Sequence, residues 1–186
     1  MTILIIGGVT ATGKTSTAKL LHQYFGWDYR EADEYHSPEN IAKMSAGIPL
    51  TDEDRFPWLM KLHETIKQYI YDGKSVILTC SALREIYRHM LLAGTSTTSD
   101  LPPDCQIYFI FLTLPKEVLH DRLVARQSQH YMNPSLLGSQ LATFEVPDIN
   151  VEKNCYVIDC NGLTPQDVVE KIKIILHENS GIKKVQ

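Results

Sequence analysis

Between a short apolar run, Ile3-Leu4-Ile5-Ile6, and a stretch with apolar residues at Ala18, Leu21 and Phe25 lies the segment Gly8-Val9-Thr10-Ala11-Thr12-Gly13-Lys14-Thr15, followed by Ser16. The first run reads as a buried strand, and the spacing over residues 15–25 predicts a helix. The segment between them satisfies G-x-x-x-x-G-K-[ST] at every required position, so it reads as a P-loop. Such a loop constrains the fold strongly, because a strand must deliver it to a helix N-terminus. There consecutive backbone N–H groups and the helix dipole favour a polyphosphate. Residues 8–16 are therefore the expected ATP-binding cradle, with Lys14 reaching the β- and γ-phosphates and the Thr15 hydroxyl joining the coordination shell of an ATP-bound Mg²⁺.

The rest of the chain continues the alternation. Apolar runs at 75–80, 106–112 and 156–159 read as strands. Trp58, Leu62, Ile66 and Tyr69 mark a helix, residues 118–126 a second, and Val168, Ile172, Ile175 and Leu176 a third, which opens on the capping sequence Thr164-Pro165-Gln166-Asp167. Strands alternating with helices predict a three-layer α/β fold, a parallel sheet flanked by helices, with ligands at the carboxyl ends of its strands. At 186 residues and 44% hydrophobic content the chain fits one domain. Residues 94–103, rich in Gly, Ser, Thr and Pro, read as a surface loop.

Composition limits the partners. A net charge of −4 lacks the basic surface of a nucleic-acid binder. The N-terminal apolar run is too short for a signal-peptide core, and no stretch approaches membrane-spanning length. Cys80, Cys105, Cys155 and Cys160 show no C-x-x-C pairing and read as reduced thiols. Together these predict a cytoplasmic protein.

A second constellation follows the P-loop: Glu31-Ala32-Asp33-Glu34-Tyr35-His36-Ser37-Pro38, then Lys43-Met44-Ser45-Ala46-Gly47-Ile48-Pro49-Leu50-Thr51-Asp52-Glu53-Asp54-Arg55-Phe56-Pro57-Trp58-Leu59. Here the chain resembles the gluconokinases, among the shikimate-kinase-like P-loop small-molecule kinases, whose pattern is an aspartate, two residues and His-Pro, then K-M-x-x-G-x-P-L-x-D-x-D-R-x-P-W-L. The resemblance continues through Cys80-Ser81-Ala82-Leu83-Arg84, Tyr87-Arg88 and Arg122-Leu123-Val124-Ala125-Arg126 to His130-Tyr131-Met132. Four departures stand out. Ser37 displaces the proline by one place, Ala11 occupies a usual loop glycine, Glu31 precedes Ala32 where aspartate or a neutral residue is common, and Gln140-Leu141-Ala142-Thr143-Phe144-Glu145 only partly matches Q-F-E-T-L-E.

The resemblance implies ATP-dependent phosphorylation of D-gluconate to 6-phospho-D-gluconate, feeding the pentose phosphate pathway, by a homodimer with a substrate-binding segment near 33–60 and a lid near 126–135. Asp33 corresponds to an acidic residue that contacts substrate in this group and is the candidate for orienting or deprotonating the acceptor hydroxyl. Arg55 offers a planar fork for the substrate carboxylate, with Arg84 and Lys43 as weaker candidates. His36 and His130 are candidate partners for sugar hydroxyls or the carboxylate. Arg122 and Arg126, four apart on one helix face, would meet the phosphates as the lid closes, and Ser81 is a further member of the site. Met44, Trp58 and Leu59 read as packing residues. Each charge taken singly also fits a solvated surface, and the P-loop alone also fits a kinase for shikimate or a nucleoside monophosphate, or a GTP-dependent switch. The switch lacks its guanine-reading N-K-x-D segment here.

Overall fold

The computed structural model describes residues 1–94, 102, 104–126 and 133–180, without the side chains of Arg126 and Ser180. In chain order its elements are β1 (Thr2–Gly7), α1 (Lys14–Phe25), β2 (Asp28–Glu31), a 3₁₀ turn (Ala32–Tyr35), α2 (Pro38–Ser45) and α3 (Asp52–Tyr71). They continue with β3 (Val76–Thr79), α4 (Glu85–Ala93), β4 (Gln106–Thr113), α5 (Lys116–Arg126), α6 (Leu136–Thr143), β5 (Cys155–Asp159) and α7 (Pro165–Ser180). The strands form one parallel sheet in the order β2-β3-β1-β4-β5. Strands β1 and β3 are buried at every residue, as parallel strands covered on both faces must be.

Alternation along the strands divides the interior in two. Leu4 and Ile6 of β1, Ile77 of β3, and Tyr108, Ile110 and Leu112 of β4 pack with Ala18 and Leu21 of α1 and with Val168, Ile172 and Leu176 of α7. Ile3, Ile5, Val76, Leu78, Phe109 and Phe111 face the other way, onto Leu59, Leu62 and Ile66 of α3 and Tyr87 and Leu91 of α4. This is the expected three-layer arrangement. After β1 the chain crosses to β2 and β3 on one side, then returns to β4 on the other. The carboxyl end of β1 is thus the switch point where open parallel sheets form a crevice.

Four helices differ from the reading of the sequence. Helix α3 begins at Asp52, a turn and a half before the apolar spacing starts at Trp58. Its start is set by a capping box in which Thr51 accepts from the Asp54 amide and Asp54 accepts from the Thr51 amide. Helices α2, α4 and α6 were not foreseen; at eight, nine and eight residues they are too short to show a clear period. Helix α7 starts as predicted, with the Asp167 amide donating to Thr164 Oγ1 at 3.2 Å. The four cysteines are free thiols, and among the described residues no helix is long and apolar enough to cross a membrane. Most of the loop expected over 94–103 lies outside the described residues.

Candidate active site

The P-loop leaves β1 through Gly7 and Gly8. A Cβ on Gly8, whose φ is +119°, would stand 2.4 Å from the Leu112 carbonyl oxygen, so β4 passes too close for any other residue. Gly13, at φ 102°, occupies the N-cap of α1 in the left-handed region, and no side chain caps that helix or places a carboxylate in its first turn. Its leading N–H groups are therefore available to an anion. The contrast with α3 is direct, since α3 has Asp52, Glu53 and Asp54 in its first turn and a complete capping box. Lys14 Nζ lies over the loop, donating to the carbonyls of Gly8 at 3.0 Å and Val9 at 2.8 Å. Thr12 Oγ1 also donates to the Val9 carbonyl, at 3.0 Å. Ala11 is held at φ 65°, a left-handed conformation that costs a non-glycine residue about 1–2 kcal/mol.

One cleft at the carboxyl ends of the strands brings together Lys14 and Thr15 of the P-loop, Asp33 and His36 after β2, Arg55 of α3, Ser81 after β3, and Gln140 of α6. Asp33 lies in the 3₁₀ turn, and Trp58 Nε1 donates to the Ala32 carbonyl at 2.7 Å, anchoring that turn to α3. Trp58 also stacks on His36, with ring centroids 4.3 Å apart and planes 11° from parallel. Burial, assisted by the Arg55 charge and opposed by Asp33, holds the His36 imidazole below its ordinary pKa, and its buried Nδ1 has no hydrogen-bond partner. Glu31, at the end of β2, accepts from the Tyr29 and Thr79 hydroxyls and lines the same cleft.

Arg55 is oriented from two directions. Its Nη1 donates to the Leu50 carbonyl, and its guanidinium lies 5.7 Å from the centre of the Tyr87 ring. The Tyr87 hydroxyl donates to Asp52 at 2.5 Å, and Arg84 Nη1 binds the other oxygen of that carboxylate at 2.5 Å. Those bonds, Tyr87's foremost, hold Asp52 below the usual carboxylate range. Arg84 Nε also pairs with Glu145 at 3.1 Å, while the Glu85 amide donates to Glu145 at 2.7 Å. The amide and then Arg84 lower the Glu145 pKa, and Glu145 and Tyr87 raise that of Arg84. Behind this group Arg88, 3% exposed, makes a two-point ion pair with Glu152 at 2.5 and 2.7 Å and donates to the carbonyls of Ala82, Leu83 and Glu145.

No protein-family model matches the chain. Compared with known proteins, it is 44% identical to the gluconokinase of Gluconobacter oxydans over 144 residues, covering 77% of this chain and 75% of that one. It superposes on a sugar kinase from Janibacter sp. with a TM-score of 0.82 at 38% identity, covering 97% of this chain and 96% of the other. The chain belongs to the gluconokinase family. A gluconokinase from Sinorhizobium meliloti shares the fold, with a TM-score of 0.72 and 32% identity over 95% of this chain and 96% of that one.

Within this gluconokinase fold the residues singled out in the sequence fall into distinct groups. Lys14, Thr15, Ser16, Asp33, His36 and Arg55 line the shared cleft, as do Thr10, Ala11 and Gly13 of the loop. Met44, Trp58 and Leu59 are buried, and the first two also contribute to the cleft wall. Lys43 and Arg84 are not among the residues that line it: Lys43 pairs with Asp54 at 2.7 Å, and Arg84 is shared between Asp52 and Glu145. Arg122, exposed on α5, donates to the Ala11 carbonyl at 3.3 Å and so reaches the loop crest. The Arg126 side chain, His130 and most of the segment 126–135 lie outside the described residues. Sequence reasoning gave no role to Glu31, Thr79 or Gln140. For Glu31 the available signal was its place at the carboxyl end of a strand; for Gln140 it was the match to the first position of Q-F-E-T-L-E, which does not show that its partner is Thr10, 130 residues away.

Proposed function

We propose that this enzyme transfers the γ-phosphoryl group of ATP to D-gluconate, giving 6-phospho-D-gluconate and ADP, in the cytoplasm. The observation that carries this reading is the single cleft holding a P-loop lysine, a carboxylate and an arginine: Lys14, Asp33 and Arg55. In the proposed mechanism the leading N–H groups of α1 and the Lys14 ammonium bind the β- and γ-phosphates. Asp33 orients the primary hydroxyl of the sugar acid and takes its proton as the oxygen attacks phosphorus. Arg55, steadied by Leu50 and Tyr87, pairs with the substrate carboxylate. His36, kept neutral by burial, hydrogen-bonds a substrate hydroxyl. Arg122 stabilises charge on the moving phosphoryl group from the loop side.

The residues also fit a divalent cation. Thr15 is exposed at the start of α1, and Glu31 lines the same cleft. Thr15 would hold Mg²⁺, whose role when bound is to neutralise charge across the β- and γ-phosphates. The test is ADP release with Mg·ATP and D-gluconate, compared with shikimate, other aldonic acids, nucleoside monophosphates and no acceptor, with the product weighed by mass spectrometry. Turnover selective for D-gluconate is expected; equal or greater turnover with another acceptor would overturn the substrate assignment.

A further inference from the structure

Helix α6 presents one face to both halves of the cleft. Leu136 and Gln140 are one turn apart on it. Leu136 packs with Met44 and Leu50 in a small apolar cluster of the acceptor segment, and next to it the Asn133 amide donates to the Met44 carbonyl at 3.4 Å. Gln140 instead crosses to the P-loop, where its Oε1 accepts the Thr10 backbone N–H at 2.7 Å. Thr10 is 7% exposed, so that amide would otherwise be nearly out of reach of water.

The peptide unit that Gln140 grips is the one that steers Lys14. The N–H of Thr10 and the C=O of Val9 belong to a single rigid plane. That carbonyl accepts from Lys14 Nζ at 2.8 Å and from Thr12 Oγ1 at 3.0 Å. Fixing the N–H end of the plane therefore fixes the direction of the carbonyl end. The next residue, Ala11, is the strained one at φ 65°, and its carbonyl is held by Arg122 of α5. Two successive residues of the loop crest are thus tied to side chains from α5 and α6, more than 100 residues away in sequence.

We propose that Gln140 is a positioning residue for phosphoryl transfer: by holding the Val9–Thr10 peptide plane it sets the P-loop crest and Lys14 in register with the acceptor segment packed on the same face of α6. The inference rests on the reading of the chain as an ATP-dependent gluconate kinase. It assigns Gln140 no contact with either substrate; Gln140 acts through Thr10.

The decisive variant is Gln140→Met, which keeps the bulk of the side chain and removes the acceptor oxygen. The expected result is a fall in kcat of about 10- to 100-fold, the scale of a small misplacement of reacting groups, with the gluconate KM unchanged within about threefold. The ¹⁵N–¹H resonance of Thr10 should move, and the melting temperature should hold. Gln140→Glu retains an acceptor oxygen at the same reach. It should return the Thr10 resonance toward its wild-type position and restore most of kcat at saturating ATP, with a raised ATP KM from the added negative charge. An unchanged kcat in Gln140→Met overturns the proposal, as does a rise in gluconate KM alone, which would make Gln140 an acceptor contact. A Thr10 resonance unmoved by Gln140→Met also overturns it. The resonance test needs no acceptor, so it stands apart from the gluconate assignment, which fails if the wild-type enzyme shows no gluconate-dependent turnover.

Discussion

At the nucleotide end of the cleft, one run of residues, 8–16, supplies the loop, the lysine and the helix N-terminus, and most of its chemistry is backbone. Toward the proposed acceptor end, Asp33 and Arg55 in the cleft and Asp52, Arg84, Tyr87 and Glu145 beside it come from four separate stretches of chain and are joined mostly through side chains. The first half is made by local geometry: glycine at positive φ, a close approach to β4, and an uncapped helix. The second is held by ion pairs and ring contacts between elements that are neighbours only once the sheet has formed. A phosphate group is recognised well by a repeated backbone donor. A polyhydroxy acid needs several different side chains, each fixed by another.

This difference can be broken at its weakest joints. The largest effect is expected from Arg88→Ala, which leaves Glu152 without its partner behind the acceptor wall. Loss of one member of a buried pair costs about 3–5 kcal/mol, read as a lower denaturation midpoint. A loss below about 1 kcal/mol, the level of a surface pair, would show that the wall does not depend on this clamp. Lys14→Met should lower kcat by about 10²- to 10³-fold, the cost of one lost charge-stabilising donor, with the fold intact by circular dichroism. Arg55→Ala should raise the gluconate KM by about 10- to 100-fold, corresponding to about 1.5–3 kcal/mol for a hydrogen bond to a charged group. An unchanged KM would place the carboxylate elsewhere.

Smaller effects sharpen the comparison. Burial keeps the His36 imidazole below the ordinary value of 6.5. As pH falls below that value the unfolded chain takes up a proton before the folded one does, so stability present above pH 6.5 is lost toward the lower folded pKa. His36→Phe, which preserves an aromatic stack on Trp58, should flatten the fall in melting temperature between about pH 7 and pH 5.5; an unaltered slope would assign that titration to other groups. Ala11→Gly should change stability least. Relief of about 1–2 kcal/mol of left-handed strain is offset by about 0.4–1 kcal/mol from a freer unfolded chain. The net gain expected is about 1 kcal/mol or less, and a clear destabilisation would mean that the Ala11 methyl contributes packing that outweighs its strain.

Much of this was legible in the residues. The P-loop and its flanking strand and helix are as the pattern requires, because glycine, lysine and threonine act there through their immediate neighbours in the chain. The three-layer fold was likewise legible from apolar runs that satisfy a fully covered parallel sheet. The segment 33–60 was visible as a block, yet its 3₁₀ turn, α2 and early start of α3 were not, since a capping box and short helices leave little periodic signal. Lys43 and Arg84 stood out as cations, but a charge in sequence does not show which carboxylate will meet it. Asp54 and the pair Asp52 and Glu145 are found only in three dimensions.

By itself, then, the sequence determined the P-loop with its flanking strand and helix, the α/β class, and the block of residues proposed to face the acceptor, because each rests on residues close together in the chain. The tertiary structure alone decided that Arg88 locks the acceptor wall to Glu152, that Tyr87 and Asp52 organise two arginines, and that Gln140 reaches back to Thr10. The contacts of Tyr87 with Asp52, Arg88 with Glu152 and Gln140 with Thr10 join residues separated by 35, 64 and 130 positions. They arise when a parallel sheet brings the carboxyl ends of distant strands to one edge, which no local pattern encodes.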